Sequence, residues 1–340
     1  MHVNCYFSSF LPQIDSMVEN ALIEHTGVEF PIICGAMYPC SNPELVAAAA
    51  NGGGMAIIQP VSLTVVHGFD KPDLNQGLVD GIKHIRSKTD RPIGFNALIE
   101  KGNDKYMQRM SQWIDIALDE GIRFFVTSLG KPDWVCDKVH SRGGFVYHDV
   151  TTRIHAEKGA ECGVDGLICV NDRAGGHLGI DSMEKMYHSL SDIGLPLVCA
   201  GGIGSEKELN AALRIGYEGV QMGTRFIATE ECSMPEGYKQ AIVGASEGDI
   251  DWTVKLTGIP VSVIKTPNYR RDNPWFVRVL LSGRFKHRTR WLMNMISFRR
   301  WRRMSNGKKS SDIWSAGKSV ETIESVESAT VIMRRLGESL

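Results

Sequence analysis

The chain has 340 residues and lacks the patterns that mark secreted, membrane and metal-binding proteins. No apolar run is long enough to span a bilayer, and residues 1–26 contain no basic start followed by an apolar block, so we expect neither a transmembrane segment nor a secretory leader. The eight cysteines include no Cys-x-x-Cys pair, which favours neither a disulfide framework nor a zinc site. These absences predict a protein of the reducing cytoplasm that needs no metal.

Two further absences narrow the choice of partners. The formal net charge is only -1, so the chain as a whole has no attraction for nucleic acid. No Gly-x-Gly-x-x-Gly sequence opens the chain, which disfavours a dedicated nicotinamide-binding domain without excluding transient binding of NAD(P)H. The composition, with 43% hydrophobic and 23% charged residues, is that of an ordinary globular enzyme.

The sequence does contain a glycine-rich loop around one histidine. Residues 166–179 read GLICVNDRAGGHLG, an apolar run that leads into glycines and His177. Glycine lets the backbone approach a flat ligand where a Cβ atom would collide, and imidazole is the side chain that titrates nearest neutral pH. Alone, the loop also fits a histidine in an ordinary turn. Together with the second glycine site described next, it suggests a cofactor beside a proton-handling group.

The second glycine site follows two neighbouring apolar runs. Residues 195–204 end in Ala-Gly-Gly-Ile-Gly, and 219–225 end in Gly-Thr-Arg. Ser205 followed by Glu208 predicts a capping box at the start of a helix between them. Backbone N–H groups at two strand ends and a helix start form the phosphate site of many (β/α)8 barrels. Tight turns alone would tolerate Asn or Asp in place of these glycines, so we predict phosphate binding.

The order of strand and helix patterns tests the barrel hypothesis. Eight apolar strand patterns alternate with helical patterns before the chain passes Gly223, as a closed parallel barrel requires. The predicted fold class is α/β, a (β/α)8 TIM barrel with a basic helical C-terminal addition, and the alternative is a doubly wound open sheet. Strands are predicted at 31–37, 54–59, 92–99, 124–129, 145–150, 166–170, 195–200 and 219–222, and helices at 43–51, 74–87, 105–120, 133–141, 152–162, 183–192 and 207–215.

These motifs resemble those of the FMN-dependent nitronate monooxygenases, formerly called 2-nitropropane dioxygenases, to which the flavin enoyl-ACP reductases are related. The resemblance covers about 27–228 and returns at 314–319. It is carried by the Ala-Gly-Gly-His-Leu-Gly loop, the Ala-Gly-Gly-Ile-Gly loop and Gln-Met-Gly-Thr-Arg-Phe. It implies an FMN cofactor, no metal, and a nitronate and dioxygen as small-molecule substrates.

The resemblance also implies roles for individual residues. His177 matches the family's proposed catalytic residue, and Asn96 matches an asparagine that hydrogen-bonds the flavin. Ala36 and Met37 match a turn against the flavin ring, with Ala36 in place of the family's proline. The positions that cradle the ribityl and phosphate groups match Gly176, Gly201, Gly202, Gly223 and Thr224.

Two more residues are expected near the mouth of the barrel. His148 ends the fifth predicted strand, where it could reach the flavin or instead bond a backbone carbonyl. Lys318 lies in the returning sequence Ala-Gly-Lys, where the family commonly has glutamine. The resemblance therefore implies a cation near an anionic substrate or the flavin.

Charge is distributed unevenly along the chain. Residues 265–309 hold fourteen of its 38 Lys and Arg residues and a single acid, Asp272, interleaved with aromatic residues. We expect this segment to cap the barrel; self-association as a homo-oligomer and contact with an anionic surface are the alternatives. The predicted organisation is an N-terminal extension (1–26), an FMN-binding barrel (27–264), a basic aromatic helical insertion (265–312), and a C-terminal return (313–340) with a helix at 322–336 that packs on the barrel.

Three functions fit the sequence. The first is oxidation of alkyl nitronates by dioxygen to a carbonyl compound and nitrite, with His177 as the acid/base or anion-positioning group. The second is an FMN-dependent NAD(P)H reductase of enoyl thioesters. The third is a non-catalytic flavin-binding interaction module.

Overall fold

The structure is a computed structural model, which describes residues 20–100, 103–255, 260–266, 269, 275–282, 289, 292–293, 296 and 314–340. In the described chain, eight parallel strands close into a barrel in which each strand pairs with the next barrel strand along the chain and the last pairs with the first, which confirms the predicted fold class. The barrel strands are β1 (Ile32–Cys34), β2 (Met55–Ile58), β3 (Ile93–Leu98), β4 (Phe124–Ser128), β5 (Phe145–Val150), β6 (Gly166–Val170), β8 (Leu197–Ala200) and β9 (Gly219–Met222), and a separate sheet holds β7 (Gly176–His177), β10 (Ile250–Thr253) and β11 (Val261–Ile264).

Helices connect successive barrel strands and cover the outside of the barrel. The helices in the described residues are α1 (Ala21–Thr26), α2 (Pro43–Asn51), α3 (Pro60–Val65), α4 (Leu74–Arg86), α5 (Asp104–Asp119), α6 (Asp133–His140), α7 (Arg153–Glu161), α8 (Met183–Leu190), α9 (Glu206–Ile215), α10 (Thr224–Ile227), α11 (Glu236–Val243), α12 (Trp275–Ser282) and α13 (Ala329–Gly337). The described part of the chain also contains 3-10 turns at Ser191–Ile193, Glu247–Asp249 and Lys318–Thr322.

Alternation along the strands produces two hydrophobic layers. Successive side chains of a strand point to opposite faces, so every second residue enters the barrel interior. The interior cluster includes Ile33, Ile57, Tyr147 and Ile168, and its members are almost fully buried. The intervening strand residues pack outward against the helices, where Trp113 of α5 is also fully buried. Strands covered on both faces explain why the sequence shows continuous apolar runs.

The small second sheet brings the histidine loop against a distant part of the chain. Strand β7 pairs antiparallel with β11, so that His177 lies opposite Val261, and β11 pairs with β10. The sequence analysis did not predict this sheet, because β7 is only two residues long and its partner is far away in the chain.

The C-terminal helix closes on the first βα unit. It starts at Ala329, so residues 323–328 of the predicted 322–336 helix are not helical. Thr330 Oγ1 donates to the carbonyl of Ala48 in α2 at 2.8 Å, and Met333 is fully buried. Added Cβ atoms at Gly52 and Gly54 would both collide with Met333, so this contact requires glycine on the barrel side.

The basic segment is described only in part. In α12 the side chains of Trp275, Val279 and Leu280 are exposed. The arginine cluster at 299–303 lies outside the described residues, and the predicted division into domains stays a prediction. Among the helices that the structure describes, none combines the length and apolar character needed to cross a bilayer.

Gly337→Ala should destabilise the fold, because the new Cβ at the end of α13 would fall on the ring of Phe30. We expect a loss of about 1–3 kcal/mol in the free energy of unfolding, typical of overpacking. Gly237→Ala in α11 is the control, since its Cβ would meet Trp314 at an ordinary 3.9 Å. Urea denaturation that gives both variants the same midpoint would contradict this packing.

Candidate active site

The carboxyl ends of the barrel strands bring several predicted site residues together. A Cβ atom added at Gly223, after β9, would lie 3.4 Å from Met37 Sδ, so the turn after β1 contacts the end of β9. Asn96 on β3 is 9% exposed. It faces inward, because a Cβ at Gly94, two residues earlier, would meet the interior side chain of Ile57. Met37, Asn96 and Gly223 therefore line the same mouth.

The two helix starts at this mouth differ in their free hydrogen-bonding capacity. At α9 the carboxylate of Glu208 accepts from the backbone N–H groups of Ser205 (2.8 Å) and Gly204 (3.1 Å), as the predicted capping box requires. At α10 the N-cap is Gly223, which has no side chain to accept from the first N–H groups. The first N–H groups of α10 therefore lack a side-chain acceptor, whereas at α9 Glu208 already supplies one, together with negative charge.

Gly201 and Gly202 are constrained by the protein itself. Both have positive φ values, 120° and 77°. A Cβ at Gly201 would collide with Asn171 Oδ1, and one at Gly202 would lie 2.6 Å from the side chain of Arg173. These glycines therefore allow the end of β8 to pack against the loop after β6, whatever ligand the site holds.

Asn171 organises that loop and was missed by the sequence analysis. It is fully buried, its Nδ2 donates to the carbonyl of Gly201 at 2.9 Å, and its Oδ1 accepts from the backbone N–H of Arg173 at 2.9 Å. One amide thus joins the strand ends of β6 and β8. An asparagine at the end of an apolar strand, before the glycines, was the signal available in the sequence.

The returning C-terminal segment packs against other chain segments at the mouth of the barrel. The backbone N–H of Gly317 donates to Thr224 Oγ1 at 2.9 Å, and this bond is buried. A Cβ at Gly317 would come within 2.5 Å of the backbone nitrogen of Gly175, so the two glycines allow a close approach of two chain segments. Thr224 therefore holds the returning C-terminal segment in place, in addition to any contact that it makes with a ligand.

Lys318 is engaged in ion pairs at the rim. Its Nζ lies 3.3 Å from Glu247 Oε1, and Arg173 Nη1 lies 2.9 Å from Glu247 Oε2. Partial burial alone would raise the pKa of Glu247, but its bonds with Arg173 and Lys318 outweigh this and lower the pKa. The carboxylate of Glu247 therefore offsets the cation that the sequence predicted at this position.

His177 is held by its backbone in β7 while its side chain remains accessible to solvent. The protein around it partly desolvates the ring and lowers its pKa below the ordinary value of 6.5. The imidazole is therefore neutral at pH 7 and can accept a proton or a hydrogen bond.

The structure corrects the expectation that His148 lies at the mouth. Its Nδ1 is 2.8 Å from Thr127 Oγ1, and a Cβ at Gly159 of α7 would be 3.4 Å from its ring, so the side chain points outward between β5 and α7. Burial, followed by repulsion from His155, lowers its pKa to about 4. Its position near a strand end did not reveal its face; alternation with Tyr147, an interior residue, could have done so.

Two interior polar residues were not singled out by the sequence analysis. Asp149 follows Tyr147 by two residues and shares its inward face, and Gln221 holds the corresponding inward face of β9. Asp149 Oδ1 and Gln221 Oε1 are buried without a hydrogen-bond partner. A polar residue within an apolar strand was the feature of the sequence that could have identified each of them. Unpartnered buried oxygens at the mouth, together with the uncapped start of α10, fit a cofactor that has polar ring atoms and a phosphate.

A cavity of about 580 Å³ lies at the opposite end of the barrel. It is lined by residues at the starts of strands, Met55, Ile93 and Phe124 among them. Its two arginines already donate to backbone carbonyls, Arg86 to Arg91 and Arg123 to Leu118. Because active sites of such barrels lie at the carboxyl ends of the strands, we do not assign the site to this cavity. Within the described ranges, no three His, Cys, Asp or Glu side chains are grouped as a metal site requires.

Comparison with known proteins places these features in a family. The family model described as nitronate monooxygenase matches residues 19–274. An octahydroindene-carboxyl-CoA dehydrogenase of Rhodococcus jostii is 29% identical over 252 residues, which cover 74% of this chain and 67% of the relative. A probable nitronate monooxygenase of Staphylococcus saprophyticus is 26% identical over 290 residues, covering 73% of this chain and 79% of the relative.

Solved structures share the fold over nearly the whole chain. FabK from Thermotoga maritima superposes with a TM-score of 0.77 at 25% identity, covering 95% of this chain and 96% of its own. A nitroalkane oxidase from Streptomyces ansochromogenes superposes with a TM-score of 0.72 at 21% identity, covering 94% and 98% respectively, and shows likeness of fold.

Thr224→Val should loosen the returning segment, because it leaves the buried N–H of Gly317 without its acceptor. We expect the free energy of unfolding to fall by about 1–3 kcal/mol, the cost of an unsatisfied buried donor. Thr224→Ser retains the hydroxyl and serves as the control. Equal urea midpoints for the valine variant and the wild type would show that this bond does not stabilise the fold.

Proposed function

Because this chain belongs to the nitronate monooxygenase family, we propose that it binds FMN at the mouth of its barrel and oxidises an alkyl nitronate with dioxygen. The products would be a carbonyl compound and nitrite. The observation that carries the proposal is the convergence of the turn after β1, the interior of β3, the uncapped start of α10 and the returning C-terminal segment at one mouth.

The residues at the mouth suit the parts of the cofactor. The N–H groups at Gly223 and Thr224 would receive the phosphate, and Gly176, Gly201 and Gly202 would adjoin the ribityl chain. Asn96 and the backbone at Ala36 and Met37 would orient the ring. When bound, FMN supplies the electron-transfer chemistry that no side chain of the site provides.

His177 would act on the substrate. A neutral imidazole can donate a hydrogen bond to the negatively charged nitro oxygens of a nitronate, or accept the proton of a neutral nitroalkane. The lowered pKa of His177 keeps it in that neutral form at pH 7. Because Glu247 pairs with Lys318, we assign the anion-positioning role to His177 rather than to the lysine.

A second candidate is an FMN-dependent oxidoreductase of thioesters that uses NAD(P)H. It is favoured by the CoA dehydrogenase among the relatives and by the likeness to FabK over almost the full chain. Both candidates use the same flavin site and differ in the substrate.

His177→Ala should retain FMN but lose roughly a hundredfold to ten-thousandfold of kcat with alkyl nitronates, the usual effect of removing an acid/base group. In the wild type, kcat/KM for a neutral nitroalkane should rise with pH through a pKa below 6.5 and then level off, since only the neutral ring accepts a proton. His188→Ala, at an exposed position of α8, is the control. Unchanged turnover in His177→Ala would remove this role.

Two assays on the FMN-loaded protein separate the candidates. Dioxygen uptake with propionate 3-nitronate tests the first, and NADPH oxidation with crotonyl-CoA tests the second. We expect uptake of dioxygen with release of nitrite. NADPH oxidation alone would support the thioester enzyme, and neither activity would favour a non-catalytic flavin-binding module.

A further inference from the structure

The interior of the barrel contains a carboxyl group that the proposed reaction does not use. Asp149 Oδ1 and Gln221 Oε1 are both buried and both lack a hydrogen-bond partner. They lie on different strands, β5 and β9, and their side chains point into the same interior. The barrel interior, which is mostly apolar, thus holds two polar groups with unused hydrogen-bonding capacity.

These two groups lie next to the turn predicted to meet the flavin. A Cβ atom at Gly35 would lie 3.0 Å from Gln221 Cγ, so Gln221 packs directly against the backbone that leads into Ala36 and Met37. Gln221 in turn lies close enough to Asp149 for its amide to lower the pKa of that carboxyl group. Both residues are partly exposed, although these two oxygen atoms are buried. A ring system held by that turn would therefore come close to both side chains.

The surroundings of Asp149 favour its neutral form. Burial raises its pKa to about 7, and the nearby amide of Gln221 only partly opposes this. On the adjacent strand β6, the nearby titratable group is the thiol of Cys169, whose pKa is raised by burial and, to a smaller extent, by Cys199 and Asp149. The neighbouring His148 points away from the interior.

The charged groups of the rim do not neutralise Asp149. Arg173 and Lys318 pair with Glu247, and His177 is neutral at pH 7. Ser128 at the end of β4 and Gln221 on β9 are uncharged. Across the described residues, no cation contributes to the pKa of Asp149.

We propose that Asp149 is the proton-holding group of the flavin site, where its neutral carboxyl, which lies beside Gln221, donates a hydrogen bond to an acceptor atom of the bound isoalloxazine. This inference rests on the proposed FMN site and adds a residue to it. Loss of the proton turns the donor into a carboxylate that faces the same acceptor, so cofactor binding weakens as pH rises. Asp149 therefore makes flavin affinity depend on pH.

The test measures the Kd of FMN by quenching of flavin fluorescence from pH 6 to pH 9, in wild type, Asp149→Asn and Asp115→Asn. If only the protonated form binds, wild-type affinity falls by about tenfold for each pH unit above the pKa. Titration of the FMN phosphate adds a pH dependence that all variants share, and it is subtracted first. The amide of Asp149→Asn remains a neutral donor at every pH, so the FMN affinity of this variant should then change by less than about threefold from pH 6 to pH 9. Asp115→Asn alters a carboxylate on the exterior helix α5 and should follow the wild type.

A spectroscopic readout identifies the proton directly. Infrared spectra at pH 6 should show the C=O band of a neutral carboxylic acid in the wild type that is missing in Asp149→Asn. Tight FMN binding with equal pH slopes in wild type and Asp149→Asn, or equal infrared bands, would overturn the role of Asp149 and leave the proposed function standing. Failure of the wild type to bind FMN at every pH would overturn the proposed function, and this inference with it.

Discussion

The site depends on the closure of the barrel, because closure forces every second side chain of each strand into one shared interior. That interior is filled by apolar residues such as Ile33, Ile57 and Ile168 through most of its depth. At the carboxyl ends of the strands, polar side chains replace the apolar ones, and Asn96, Asp149 and Gln221 occupy inward positions. The same alternation that builds the core therefore also decides which polar groups can meet a ligand and which, like His148, are turned toward the helices.

A second constraint comes from the return of the chain to the mouth. Gly317 lies against Gly175 of the histidine loop and donates to Thr224, which follows β9. Asn171 joins the same loop to the end of β8. Segments that are far apart in sequence thus hold one another in place by buried hydrogen bonds and by close backbone approaches that only glycine permits. The proposed phosphate position at α10 is built into this framework rather than carried on a separate loop.

Much of the fold was predictable because its signals are local. Apolar runs with helical patterns between them gave all eight barrel strands, and Ser205 with Glu208 marked the start of α9. Features that depend on distant contacts were missed. The pairing of His177 with Val261, the ion pair of Lys318 with Glu247 and the contact of Gln221 with Gly35 join positions whose proximity no local pattern encodes. The sequence analysis left His148 open between the mouth and a bond within the protein, because its location along the strand was considered and its face was not.

The central claim is that this mouth binds FMN, with the phosphate at one side and the ring over the polar interior positions. A crystal structure of the purified protein with FMN tests it most directly. The account predicts the phosphate against the backbone of Gly223 and Thr224, and the ring within hydrogen-bonding distance of Asn96 and Asp149. Flavin bound in the cavity at the opposite end of the barrel, or at the mouth with its phosphate away from α10, would contradict it.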